Sequence, residues 1–424
     1  FAAAGIDATG LKASTFHAFG LDILEKASGS RPQLAPWVAN GTELEHVEGI
    51  LADLVASGDL SPEDRLEAGD RLAALLLDLM GHVKAAGLTK AELRRALSGR
   101  RDEEATRARR VLDLYWRVHE RWDIDLAAAG AVDYPAMLSD AARALEKKPR
   151  LVDADLVLVD EFQDTSPARA RLVRALTRAA HTSLLVVGDD WQAINRFTGA
   201  DMSLLTEFSA WSGPSLTRRL ETTYRTTQVI ADVAGRFIAR NPSQITKNVT
   251  AARGPGGEPV RIVRVSRRSD LAGAIATHVE RLAAAHPGAT IDVLGRYRAD
   301  EEFVSPGKHP EVTVTFRTIH ASKGLEADHV IVPSVVTGPR GFPSTRSTDP
   351  VIELAMAGRD EDAHAEERRL LYVALTRART SVTLFTVEGS ESPFIDELLE
   401  DPDVTVEHAS VRAATAPGAS AATV

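Results

Sequence analysis

The chain has 424 residues, 44% apolar and 26% charged, which is enough for two or three domains with a buried core in each. It contains no cysteine, and this excludes disulfides, thiolate metal sites and cysteine nucleophiles. A formal charge of −10 excludes a surface coated in phosphate-binding cations but leaves room for a local basic groove.

No apolar run is long enough to span a bilayer, and the opening FAAAGIDATGLK lacks the layout of a signal peptide, so a cytoplasmic protein without a membrane partner is expected. STFHAFGLDILEKA, from Ser14, has the apolar periodicity of a helix, and Phe16 and Phe19 on it read as core residues. Residues 31–130 are Leu-, Ala- and Arg-rich, carry glycines after helix ends and show no strand alternation, which predicts an all-helical region. Within it nine arginines and six acidic residues lie between Ala91 and Trp122, a pattern of solvated helix faces. Tyr115, Trp116 and Trp122 are open to two readings, packing between helices or stacking on bases.

Two apolar runs, Leu156–Val159 and Leu184–Val187, end in Asp160–Glu161 and Asp189–Asp190. Between them Ser166–Pro167 reads as a helix start, and Leu172, Val173 and Leu176 form an apolar stripe, giving strand, helix, strand. An acidic pair at a strand end suits metal-assisted phosphate chemistry, and equally a solvated turn. Farther on, SLTRRLETTYR predicts a strand running into Tyr224–Arg225, and residues 241–260 a loop or linker. EVTVTFRTIHASKGLEADHVIVPSV predicts strand, loop, strand, and residues 338–362 a loop-rich surface excursion. In EERRLLYVALTRART, Leu370, Ala374 and Arg377 share a helix face with Arg368 opposite, so Arg377 is expected to project into a cleft. The Ala-, Ser- and Pro-rich end predicts a disordered tail over 400–424.

DEFQDTS followed by GDDWQAINRFTGA, with STFHAF, LETTYR, TIHASKGLE and LLYVALTRA in that order, resembles the UvrD/Rep-type superfamily 1 DNA helicases. Only 93 positions separate Arg225 from Thr318, which leaves no space for the large extra domain of UvrD and Rep and makes the helicase IV branch the more similar one. The resemblance implies an α/β fold of two RecA-like, P-loop NTPase-type parallel-sheet domains, the first incomplete and carrying an all-helical insertion. The expected boundaries are 1–30 and 131–215 for the first motor domain, 31–130 for the insertion and 216–399 for the second motor domain.

The same resemblance implies an ATP-dependent 3′→5′ DNA helicase, with ATP and Mg²⁺ as cofactors and single-stranded and partly duplex DNA as partner. Repair or recombination proteins are further expected partners. It makes Asp160 the Mg²⁺ ligand and Glu161 the base, Gln192 a γ-phosphate sensor, and Arg225 and Arg377 the transition-state arginines. Tyr224 stacks on adenine and Glu326 meets the ribose, while Thr15, Phe16, His17, Phe197, Thr318 and His320 touch DNA. Trp191, Asn195 and Thr198 depart from the DDDQSIYxWRGA pattern of UvrD and Rep, and Asn195 removes an aromatic ring. No G-x-x-x-x-G-K-[ST] phosphate loop occurs in the chain. The expectation is therefore a C-terminal fragment or a natural truncation, with negligible ATP turnover by itself. The competing reading is a non-catalytic nucleic-acid- or protein-binding module derived from such a helicase.

Overall fold

The computed structural model describes residues 10–61, 71–179, 182–304, 310–346, 348–356, 358 and 364–409. Residues 62–70 of the all-helical region expected over 31–130 and the last part of the expected tail, 410–424, lie outside them. The chain divides into two compact units, one of residues 1–190, 195–215 and 348–359, the other of 191–194, 216–347 and 360–424.

The first unit is largely helical. Thr15 caps the helix Phe16–Ser28 by accepting a hydrogen bond from Ala18 N, and Gly29 ends it at φ +83°. Helices Glu43–Ala56, Leu72–Ala86 and Glu103–Ala128 bury Val47, Ile50, Leu76, Leu79, Tyr115 and Trp122 in one core. The two ends of this helical stretch meet, because β1 (Gln33–Leu34) pairs in parallel with β2 (Ala131–Val132). Directly after β2, Asp133 caps the helix Tyr134–Lys147 through Ala136 N and accepts from Lys84 Nζ at 2.6 Å and Trp122 Nε1 at 2.9 Å. A buried carboxylate with three donors is well solvated by the protein itself.

The parallel strands β3 (Leu156–Val159) and β4 (Ser183–Val186) are connected through the helix Pro167–Ala179. Side chains alternate across strands. Val157, Val159, Leu184 and Val186 face inward against Phe162, Val173 and Leu205. On the other face Leu156, Leu158, Leu185 and Val187 are 52, 51, 54 and 48% exposed.

In the second unit the short strands β5 (Thr222–Thr223) and β6 (Thr250–Ala251) pair in parallel. The main sheet comprises β7 (Val260–Val265), β8 (Thr290–Gly295), β9 (Thr313–Thr318), β10 (Ala327–Val332), β11 (Ala378–Val387) and β12 (Val404–His408). These six strands are all parallel, in the order β12-β7-β11-β10-β8-β9. One face carries the helices Gln228–Ile238, Ala365–Leu375 and Pro393–Leu399, packed on Ile262, Val330, Val332, Val382 and Leu384. The other carries Leu271–Ala285 against Val263, Val265, Ile291, Ile331 and Phe385. Burial on both faces explains why these strands read as nearly continuous apolar runs.

Three sequence expectations are corrected here. The tail does not begin at 400, because β12 adds an edge strand beside β7. Of LETTYR only Thr222–Thr223 is strand. The excursion at 338–362 contains a helix, Pro350–Glu353, whose Val351 and Ile352 are 0 and 2% exposed among the helical core of the first unit. No single described helix is long and apolar enough to cross a membrane.

Candidate nucleotide and nucleic-acid sites

In the first unit the chain leaves β3 through Asp160 and turns at Glu161, whose φ of +50° is the one positive value at a non-glycine among the described residues. The following turn, Phe162–Asp164, is anchored by Phe162, which is 0% exposed and lies edge-on to Phe208 at 5.7 Å. Gln163 is also 0% exposed. Its Oε1 accepts from Asp189 N at 3.0 Å and its Nε2 donates to the Glu161 carboxylate. One amide therefore ties together the two acidic strand ends and orients Glu161. Gly188 permits this approach, since a Cβ there would lie 2.7 Å from Gln163 Oε1.

Asp160 is exposed and accepts from Glu161 N at 2.9 Å through Oδ1. Among the described residues no group of three or more His, Cys, Asp or Glu could cage a metal ion. A single carboxylate at a strand end suits Mg²⁺, which completes its shell with water and phosphate oxygens.

A cavity of about 550 Å³ in the same unit is lined by His17, Asp78, His82, Tyr134, Arg169 and Phe197, among others. His17 meets Tyr134 edge-on at 5.4 Å. Burial, and then the charge of Arg169, hold the His17 pKa below its ordinary value. Phe197 stands on the turn Arg196–Thr198 with its ring 53% exposed. That turn presses on the helix Leu72–Ala86, for a Cβ at Gly199 would lie 2.6 Å from Ala85 Cβ. A cavity lined by apolar side chains with a few polar groups among them suits a flat aromatic ring such as a nucleobase. Two of the expected DNA contacts, His17 and Phe197, thus line one cavity. Thr15 and Phe16 do not line it, since Thr15 caps its helix and Phe16 packs into the core beneath the Arg169 guanidinium, 5.9 Å from its ring.

The second unit holds the remaining expected nucleotide-contacting residues. Gln192 Oε1 accepts from Arg377 Nη2 at 3.1 Å, and the Gln192 carbonyl from Lys323 Nζ at 3.0 Å. Arg377 is 1% exposed and also donates to Val373 O at 3.1 Å and Leu325 O at 3.4 Å. It does not project into open space, which corrects the sequence reading: an arginine on an apolar stripe is buried here because backbone carbonyls and Gln192 satisfy its donors.

Arg225 donates to Glu326 through Nε at 3.0 Å and to Thr376 O at 3.4 Å. Glu326 is shared with Arg379, and these two arginines, Arg379 first, keep the carboxyl below its usual range. Tyr224 beside them is 78% exposed. Thr318 Oγ1 accepts from Ala321 N at 3.3 Å in the turn that carries His320. Burial, then the charge of Arg296, pull the His320 pKa down to about 4, so the ring is neutral at pH 7.

Tyr115 and Trp122 are 0 and 2% exposed, and Trp122 stands edge-on to Trp37 at 5.8 Å, so their use is packing. The arginines of 91–122 are largely engaged, Arg94 with Asp113, Arg100 with Asp102 and Glu104, Arg107 with Asp349 and Arg121 with Asp125. Sequence reasoning missed Gln163, Arg379 and Glu353. Gln163 had a visible signal, a polar residue inside DEFQD, but its partner Asp189 lies 26 positions away. Arg379 and Glu353 carried none.

Residues 3–211 match the UvrD/REP helicase N-terminal domain and residues 299–389 the UvrD-like helicase C-terminal domain. The chain belongs to the UvrD/Rep helicase family. As a UvrD/Rep member it has the expected α/β architecture of RecA-like parallel sheets. DNA helicase IV of Escherichia coli (strain K12) is 33% identical over 426 residues, covering 93% of this chain and 60% of that protein. DNA helicase II of Haemophilus influenzae is 31% identical over 180 residues, 41% of this chain and 24% of that protein. ATP-dependent DNA helicase UvrD1 of Mycobacterium tuberculosis (strain ATCC 25618 / H37Rv) is 29% identical over 242 residues, 54% of this chain and 28% of that protein. This UvrD/Rep chain therefore spans 60% of the length of helicase IV.

Proposed function

We propose that the chain supplies the DNA-tracking and nucleotide-sensing parts of an ATP-dependent 3′→5′ DNA helicase that translocates on single strands and couples ATP hydrolysis to unwinding. The observation that carries this reading is the acidic end of β3, where Gln163 orients the Glu161 carboxylate beside Asp160. When Mg²⁺ and ATP are bound, the metal neutralises phosphate charge, with Asp160 as its protein ligand.

Glu161 accepts a proton from the attacking water, and its orientation by a buried amide favours one approach direction. Tyr224 offers an exposed ring to adenine, and Glu326 accepts from a ribose hydroxyl. Gln192 reads the terminal phosphate, Arg225 supplies positive charge toward it, and Arg377 acts from its buried position, where it holds the Gln192 side chain through Nη2 and adds positive charge behind it. The Arg225–Glu326 pair must open for Arg225 to do so, which sets a cost on engagement in the absence of nucleotide. Single-stranded DNA meets His17 and Phe197 at the cavity of the first unit, with Thr15 and Phe16 beside them, and Thr318 and His320 in the second. The working partner is single-stranded or partly duplex DNA, in the cytoplasm, alongside repair or recombination proteins.

The test is ATP turnover with and without single-stranded DNA, in this chain and in the same chain extended upstream by a phosphate loop. The extended protein is expected to turn over ATP only with DNA, and Glu161→Gln to lower its rate by roughly 10²- to 10⁴-fold. An inert extended protein would sink the motor reading in favour of a non-catalytic nucleic-acid- or protein-binding module.

A further inference from the structure

The segment 348–356 is built into the first unit although the sequence on both sides of it belongs to the second. Asp349 accepts from Val351 N at 3.0 Å, capping the helix Pro350–Glu353, and takes a two-pronged ion pair from Arg107 at 3.0 and 2.7 Å. Val351, Ile352 and Ala355 are 0, 2 and 1% exposed. From this anchored turn Glu353 Oε2 accepts from Arg196 Nη2 at 3.1 Å. Arg196 immediately precedes Phe197.

The Arg196 and Glu353 side chains are 18 and 37% exposed, so the pair is screened less than one on an open surface. The same turn is held elsewhere too. Gly199 abuts Ala85, and Asp201 N donates to Thr165 O at 3.0 Å.

We infer that Glu353 is a positioning residue for single-stranded DNA: by holding Arg196 it fixes the turn on which Phe197 presents its ring at the cavity, so that a nucleobase meets a preset stacking surface. This rests on the DNA-tracking reading above. A surface fixed beforehand binds more tightly because less conformational freedom is lost on association. Glu353 itself touches no DNA in this arrangement.

The experiment is a double-mutant cycle on the full chain, read by fluorescence anisotropy of a labelled oligothymidylate, with 2-aminopurine emission as a separate report on stacking. Phe197→Ala is expected to weaken binding by roughly ten- to a hundredfold, the scale of one lost base stack. Glu353→Gln, which keeps shape and removes charge, is expected to weaken it about five- to tenfold and to restore 2-aminopurine emission. In the Phe197→Ala background Glu353→Gln should then change nothing, while the unfolding midpoint stays where it was. An equal loss from Glu353→Gln with and without Phe197, or no loss at all, overturns the positioning role alone. If the chain binds no DNA, or binds it with Phe197→Ala unchanged, the DNA reading of the cavity falls and this inference with it.

Discussion

Gln163 and Arg377 show how a single side chain takes its character from partners distant in sequence. The Gln163 amide is buried, and truncation removes the hydrogen bond it accepts from Asp189 N and the one it donates to Glu161. Gln163→Ala is therefore expected to destabilise the first unit by about 1–3 kcal/mol, measured by urea unfolding, and to lower DNA-stimulated turnover in the extended protein. A substitution that leaves the urea midpoint unchanged would mean the bridge is not formed in solution. Asp160, Glu161 and Gln192 could be named from their short motifs, because strand-end acids and the flanking pattern are local. The burial of Arg377 could not, since its acceptors include Leu325 and Gln192, up to 185 positions away.

Elements were legible where periodicity is strong. The helices of the first unit and the buried parallel strands of the second follow directly from apolar spacing. The helix at 350–353 was obscured because four residues carry no period, and its burial depends on Arg107, 242 positions away, and on the helical core around it. Ile352→Ala should cost about 2–4 kcal/mol by urea unfolding, as for other buried aliphatics; a cost within 0.5 kcal/mol, the order typical of surface sites, would show that the segment is not packed there. The uncovered face of β3 and β4 behaves oppositely. Leu158→Lys and Leu185→Glu on it should leave stability within about 0.5 kcal/mol by urea unfolding, since both side chains are half-exposed. A loss of several kcal/mol would show that this face is covered in solution.

Across the whole molecule the ionisable groups set a stepped response to acid. Burial, and then neighbouring arginines, place His278 at about 3 and His320 at about 4, below their ordinary value of 6.5. Between those values the unfolded chain takes up protons that the folded chain refuses, so stability is full above about pH 6.5 and declines as pH falls toward 4. Glu326, held low by Arg379 and Arg225, and Asp349, held low by Arg107, add stability that is lost at still lower pH. Asp292 and Asp300 are raised by burial and act in the opposite sense, blunting the final loss. Chemical-denaturation midpoints from pH 8 to 4 should therefore be flat above 6.5 and fall below it, and His278→Gln together with His320→Gln should shrink that step, the remainder belonging to His17, His82, His119 and His329, which burial also holds low. A step of unchanged size in the double variant would show that His278 and His320 do not contribute to it.

Glu161 sits where a side chain is a thermodynamic burden, since a left-handed backbone is disfavoured by about 1–2 kcal/mol for residues other than glycine. Glycine at that position would make a sturdier protein and erase the carboxylate. On the function proposed above, robustness and use thus point to different amino acids at this one position.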